Sequence, residues 1–165
     1  MTPSLLINKF GLLPHPEGGW YKENYRSNER LDKTMLPERF NGSRSISTAI
    51  YFLLEQGNFS AFHRIKSDEC WHFYFGGPLL IYIIQDNGRM DIISLGNNIE
   101  KGDLFQYVVP ANCWFASKPA NDALFSFVGC TVAPGFDFED FELANANDLS
   151  NTYPKHAAAI KSLCR

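Results

Sequence analysis

The sequence predicts an all-β fold, a jelly-roll barrel with a short helix at each end, and three observations carry that expectation. About eight short apolar runs recur along the chain, and turn-forming residues separate them at intervals of roughly eight to twelve positions. Fourteen Phe and seven Tyr among 165 residues favour strands over helices. Long helical periodicity is missing from the middle of the chain. Many short strands of even spacing argue a sandwich or barrel, and the jelly roll is the closed two-sheet solution. At this length the whole chain, residues 1–165, is expected to form one domain with its own core.

Each element has a local reason. Thr2 and Pro3 ahead of Leu5, Leu6 and Phe10, with Gly11 behind, give a helix with a capping hydroxyl, proline at its start and glycine at its end. Trp20 to Arg26 alternates aromatic and polar residues, as an edge strand does. Ser27 to Ser43 turns polar, with Pro37 and Asn41-Gly42, and is expected to be a long surface loop. Ser45 to Leu54 is an apolar strand. Pro78 to Ile84 and Met90 to Leu95 flank Asp86-Asn87-Gly88, a hairpin turn needing positive φ. Leu104 to Val109, Cys113 to Ser117 and Leu124 to Val132 supply three more strands. Phe136 to Leu143 alternates acids with Phe and fits a further strand or an irregular acidic edge. Tyr153-Pro154 to Leu163, with three alanines inside, is expected to be a terminal helix.

Composition removes several classes of function. A formal charge of -3 without a run of Lys or Arg gives no footprint for nucleic acid. No apolar stretch approaches the roughly twenty residues of a membrane span, and the N-terminus lacks the order of a secretion signal, so a cytoplasmic protein is expected. Cys70, Cys113, Cys130 and Cys164 show no zinc-ligand spacing, and three of them sit in apolar strands as small buried hydrophobes.

The stretch Gly57 to Gly77, GNFSAFHRIKSDECWHFYFGG, concentrates the chemistry. It reads as two short strands around the polar turn Lys66-Ser67-Asp68. Strand alternation puts Phe59, Ala61 and His63 on one face of the first, and Glu69, Trp71, Phe73 and Phe75 on one face of the second. If these strands pair, His63 and Glu69 share one interior, where the carboxylate orients the imidazole and the pair can transfer protons near neutral pH. Trp71, nearest Glu69, is the first candidate among the aromatics for touching a ligand, with Phe73 beside it. His72 faces away in a regular strand. Glu17, in HPEGGW at 15 to 20, reads as a turn carboxylate, with a rim contact to ligand as the alternative. The Gly18-Gly19 pair is no phosphate loop, because the Lys and Ser/Thr of that pattern are missing.

These residues resemble a known motif. Gly57, His63, Ile65, Glu69 and Gly76 follow the spacing of the first cupin motif, G-x5-H-x-H-x3-E-x6-G, with Ile65 at the second histidine. Gly102 and Val109-Pro110-Ala111-Asn112-Cys113-Trp114-Phe115 resemble the second, with Asn112 at its glycine and Phe115 at its histidine. HPEGGW, STAIYFLL at 47 to 54, FHRIKSDECWHFYFGGPL at 62 to 79 and CTVAPGFDFEDFELA at 130 to 144 are similar to an RmlC-like cupin family known as domain of unknown function 985. The resemblance implies a double-stranded β-helix over nearly the whole chain. Of the four metal ligands of the pattern, His63 and Glu69 remain, so no metal cofactor is expected; Phe115 narrows the cavity where a histidine would stand. The resembling cupins commonly pair, and the Trp20 to Arg26 strand is placed to extend a partner's sheet, so a homodimer is expected.

Two functions stay open at this point. One is a metal-independent isomerase or epimerase acting on a carbohydrate-like or carbonyl small molecule, with His63 removing a proton and Tyr51 or Tyr107 as candidates for the second proton-transfer group. The other is a binding or sensing module without chemistry, a reading that gains if neither tyrosine faces the cavity. The missing ligands argue against a third, a metal-dependent dioxygenase.

Overall fold

The computed structural model describes all residues, Met1 to Arg165. A first helix, α1 (Pro3–Phe10), is followed by thirteen strands: β1 (Leu13–Pro14), β2 (Trp20–Arg26), β3 (Arg30–Leu31), β4 (Arg44–Ser45), β5 (Thr48–Glu55), β6 (Ser60–Arg64), β7 (Asp68–Gly76), β8 (Leu79–Ile84), β9 (Met90–Leu95), β10 (Gln106–Val109), β11 (Trp114–Pro119), β12 (Phe125–Ala133) and β13 (Glu142–Leu143). Two short helices, α2 (Ala146–Thr152) and α3 (Ala157–Ser162), end the chain. A six-stranded sheet runs β1-β2-β5-β12-β7-β10 and a five-stranded sheet β13-β6-β11-β8-β9, with antiparallel pairing throughout both; β3 and β4 form a separate ribbon. This is the jelly-roll barrel the strand spacing predicts. No helix is long and apolar enough to cross a membrane.

Between the sheets lies a core that includes Phe52, Leu54, Trp71, Ile81, Ile83, Val109, Phe115 and Val128, drawn from both. The helices at the two ends cover opposite outer faces. Leu6 and Leu12 pack on Leu53, Phe125 and Phe127 of the six-stranded sheet, while Leu149, Ile160 and Leu163 pack on Phe62, Ile84 and Ala116 of the five-stranded one. The caps of α1 are those the sequence predicts: Thr2 Oγ1 accepts the Leu5 N–H at 3.3 Å, and Gly11 takes a left-handed φ of 61°. A further helix precedes the predicted C-terminal one. Asn145 caps α2, which the sequence reading left unassigned, and a 3-10 turn at Pro154–His156 leads into α3.

Three expectations are corrected. β6 and β7 do not pair: β6 bonds to β11 and β13, and β7 to β10 and β12, so the two strands lie in opposite sheets. Both still point inward, across the barrel rather than side by side. Phe75 leaves the Trp71 face, because the register of β7 against β12 shifts by one between Phe73 and Phe75, a bulge at Tyr74 that reverses the alternation. Phe75 packs on Phe125 instead. The loop from Ser27 to Ser43 is anchored, not merely superficial: Phe40 is fully buried with the guanidinium groups of Arg39 and Arg44 over its ring.

Candidate functional site

Beside the packed core the two sheets leave a cavity of about 390 Å³. His63 and Ile65 line it from the five-stranded side, and Tyr21, Ile50, Glu69, Cys130 and Val132 from the six-stranded side. Two irregular segments complete the wall, His15 and Glu17 before β2, and Phe136, Asp137, Phe138 and Phe141 after β12.

Glu17 reaches the interior because of the turn that carries it. Gly18 and Gly19 have φ of 114° and 76°, and a Cβ on Gly18 would collide with the Phe59 carbonyl. Only glycine tolerates both the dihedral and the approach. The turn is locked to β6 by the Ala61 N–H, which donates to the Glu17 carbonyl at 2.8 Å. The Glu17 side chain, buried, then meets His63.

His63 Nδ1 lies 2.7 Å from the Ala61 carbonyl oxygen. A carbonyl only accepts, so Nδ1 carries a hydrogen and Nε2 is the nitrogen free to exchange one. Nε2 lies 3.1 Å from Glu17 Oε2, a distance that requires a proton between them. Burial lowers the pKa of His63, against the opposing influence of Glu69. Burial likewise raises that of Glu17. Both shifts favour the uncharged pair, a Glu17 carboxylic acid donating to a neutral imidazole. His15 supports the arrangement: its Nδ1 accepts the Glu17 N–H at 3.3 Å, and burial lowers its pKa as well.

Glu69 stands on the opposite sheet. Its pKa is pushed up to about 7, chiefly by burial; His63 counteracts the rise, Glu17 adds to it, and the Cys130 thiol and Trp71 indole favour the ionised form. Cys130 stays a thiol because burial and Glu69 both oppose its ionisation. The cavity thus contains a carboxyl group poised near neutrality facing a carboxylic acid–imidazole pair.

The mouth is built from β2 and the segment after β12. A register shift between Glu23 and Tyr25 makes Asn24 an extra residue, which turns Arg26 onto the same face as Tyr21 and Glu23. Arg26 then clasps Glu23 through Nε and Nη2 at 2.9 and 2.7 Å and reaches the Phe136 carbonyl at 3.2 Å. Phe136, Phe138 and Phe141 lean on one another with ring centroids 5.0 to 6.3 Å apart, and Phe141 also contacts the His63 ring at 5.3 Å. Asp140, between them, forms a buried bidentate pair with Arg44, both bonds 2.7 Å.

Of the residues the sequence singles out, His63 and Glu69 line the cavity. The hydrogen-bond partner of His63 is nevertheless Glu17, not Glu69. Trp71, Phe73, Phe115 and Tyr107 belong to the packed core beside it: Trp71 contacts Phe52 and Phe115, Phe115 backs the His63 ring at 4.1 Å, and Tyr107 lies opposite Trp71 in the sheet. Tyr51 points out of the barrel, against Phe10, Tyr74 and Phe127 under α1. The cavity tyrosine is Tyr21. Glu17 lies in the cavity wall as well as in its turn, so both sequence readings of it hold in part, while His15 and the Glu17–His63 contact carry no sequence signal beyond the Gly18-Gly19 pair directly after an acid.

The resemblance to the cupin motifs raises the question of a metal, and these residues do not fit one. Ile65 lines the cavity and Phe115 fills the space behind His63, both pure hydrocarbon, and no three His, Cys, Asp or Glu side chains converge as a metal site requires. Asn112, at the motif's glycine, does keep that residue's conformation, with φ of 65°.

Comparison with known proteins agrees with this architecture. A hypothetical protein from Leishmania major superposes with a TM-score of 0.91 and 37% identity over 99% of both chains. A protein of known structure from Shewanella oneidensis gives 0.89 and 38%, covering 100% of this chain and 98% of its own. An uncharacterised protein of Saccharomyces cerevisiae is 28% identical over 152 residues, 87% of this chain and 75% of the yeast protein. The family model described as Cupin superfamily (DUF985) matches residues 4–144, and the chain belongs to that family.

Proposed function

We propose that the cavity binds a small carbohydrate-like or carbonyl compound and moves protons on it without a metal, as an isomerase or epimerase does. The observation that carries the reading is the pair of proton-transfer groups on opposite sheets: Glu69, with a pKa of about 7, and the Glu17–His63 couple at 3.1 Å. A base is most effective when its pKa lies near the working pH, and Glu69 meets that condition. Ionised Glu69 takes the proton from the carbon next to the carbonyl, and the electron pair moves onto the carbonyl oxygen as an enolate. Glu17, positioned by His63, gives its carboxylic proton to the other face of that carbon, which collapses the enolate and inverts the centre; for isomerisation the proton goes to the neighbouring carbon after a hydroxyl proton has passed between the two oxygens. Glu69 then loses its proton to solvent at the mouth while the couple regains one, so the protons balance.

The second group that Tyr51 and Tyr107 were expected to supply is therefore Glu17. That neither tyrosine lines the cavity supports the competing reading, a binding module without chemistry. The two readings separate in heavy water. A panel of aldoses, ketoses and simpler hydroxycarbonyl compounds is incubated with the protein, and deuterium incorporation next to the carbonyl is followed by NMR. The proposal expects incorporation into at least one compound, lost in Glu69→Gln and His63→Ala. Binding without incorporation by the parent protein would establish the binding module instead.

A further inference from the structure

We infer that the cavity selects uncharged, hydroxyl-bearing ligands over phosphate esters and carboxylates, and that Glu23 enforces the selection by engaging Arg26. The inference rests on the proposed function in taking this cavity as the ligand site, and adds the class of ligand.

Arg26 is the one Arg or Lys side chain in the wall, beside four carboxyl groups, Glu17, Glu23, Glu69 and Asp137. A guanidinium has five N–H donors. Nε–H and one Nη2–H go to the two oxygens of Glu23, and Nη1 and Nη2 each give one to the Phe136 carbonyl. One donor remains. The forked face that would grip a phosphate or carboxylate is already occupied by a carboxylate of the same strand. The bulge at Asn24 is what makes this possible, since in a regular strand residues 23 and 26 face opposite ways.

An anion entering the cavity would therefore give up its hydration without finding a free cation, and would stand among carboxyl groups. Removing an ion from water is strongly unfavourable when nothing compensates it. A cation fares little better, because three of the four acids already have partners and burial keeps the fourth, Glu69, protonated up to a pH of about 7. Glu23 holds Arg26, Asp137 accepts the Glu139 N–H at 3.0 Å, and Glu17 faces His63. An uncharged polyol or hydroxycarbonyl compound meets neither obstacle. Its hydroxyl groups find donors and acceptors at His15, Glu17 and Glu69, and its C–H faces pack on the rings of Tyr21 and Phe138.

Two titrations test the inference, one of them independent of the natural ligand. Inorganic phosphate is added to ¹⁵N-labelled protein while the Arg26 Nε–H resonance is followed. In the parent it is expected to stay unmoved; in Glu23→Gln, which removes the competing negative charge, a saturable shift should appear and vanish in Glu23→Gln/Arg26→Gln. Saturable phosphate binding at Arg26 in the parent overturns the inference. The second titration uses matched pairs, neutral hexoses and their 6-phosphates, with a hexosamine as the cationic member. Neutral members should shift the Glu17 and His63 amide resonances at concentrations at least about tenfold below their phosphates, and Glu23→Gln should narrow that gap. Tighter binding of a phosphate or of the hexosamine to the parent refutes the selectivity while leaving the cavity a ligand site. If only Glu69→Gln and His63→Ala fail to abolish deuterium incorporation, the proton-transfer roles fall and the selectivity stands.

Discussion

Glu17 Oε2 lies 3.1 Å from His63 Nε2 while the other nitrogen of the same ring is held 2.7 Å from the Ala61 carbonyl. The backbone of Glu17 is tied to the same residue, through the Ala61 N–H. One strand residue therefore fixes the hydrogen on Nδ1 and also positions the acid that serves Nε2. Neither the ring nor the carboxyl group can rotate away without breaking a buried hydrogen bond.

That geometry makes Glu17→Gln informative. A glutamine amide can donate to Nε2 in place of the carboxylic acid, so the fold should be retained, with thermal stability close to that of the parent. It cannot give up its hydrogen. Deuterium incorporation into any active compound should fall by about 10²-fold or more, the usual contribution of a positioned acid or base. Glu17→Leu should also lose about 1–3 kcal/mol of stability, because it leaves Nε2 buried without a partner. Equal activity of Glu17→Gln and the parent would remove Glu17 from the chemistry.

The raised pKa of Glu69 has a consequence for stability. Its folded value of about 7 stands above the ordinary 4.5, so between those values the folded state keeps a proton that the unfolded state has released. Stability must therefore fall as pH rises through this window, by about 3 kcal/mol for the group taken alone. Glu69→Gln cannot ionise and escapes the loss. In urea titrations the stability of Glu69→Gln relative to the parent should increase from pH 4.5 to pH 7 and then level off. A difference independent of pH would mean that Glu69 is not held in its protonated form.

Much of this fold was legible in local sequence. β2 and β9 match their predicted limits, most other strands shift by only a few residues, and both caps of α1 are where Thr2 and Gly11 place them. Partners and facing were harder. His63 and Glu69 are joined by a short turn, yet their strands belong to opposite sheets, because alternation reports which way a side chain points and not what its strand bonds to. Tyr51 was misplaced for a related reason. β5 is covered by the core on one face and by α1 on the other, so its run Ile50 to Leu54 has no polar face to betray its orientation. The bulges at Asn24 and Tyr74 carry no residue signature, and each reverses the alternation after it. Arg26 enters the cavity wall and Phe75 leaves the core face by the same mechanism.

Arg44 and Asp140 should behave as a buried pair that holds the Phe136–Phe141 segment over the cavity. Both side chains are 3% exposed. Arg44→Met would leave the Asp140 carboxylate buried with only Lys66, 3.5 Å away, as a cationic partner. The expected cost is about 3 kcal/mol. Arg44→Met/Asp140→Leu, which removes both charges and fills the space, should recover most of it. Urea denaturation of the three proteins measures the difference. A loss below about 1 kcal/mol in the single variant would show that the pair contributes little beyond a surface salt bridge.

Ligand binding should also survive removal of metal ions. His63 and Glu69 are what remains of the four-ligand pattern, and His63 Nε2 is already engaged by Glu17. Ile65 and Phe115 add hydrocarbon at the other two positions. His72, the nearest further imidazole in sequence, is turned out of the barrel, its Nε2 3.0 Å from Thr131 Oγ1 and its Nδ1 3.0 Å from Gln106 Nε2. An ion at this site would draw most of its coordination from water, with affinity far below that of a three- or four-ligand centre. Dialysis against a chelator should therefore leave the ligand-induced shifts at Glu17 and His63 unchanged, and elemental analysis of untagged protein should find much less than one transition metal per chain. About one metal per chain in the parent, absent from His63→Ala but retained in His72→Ala, would overturn the metal-free mechanism and revive the oxygenase reading.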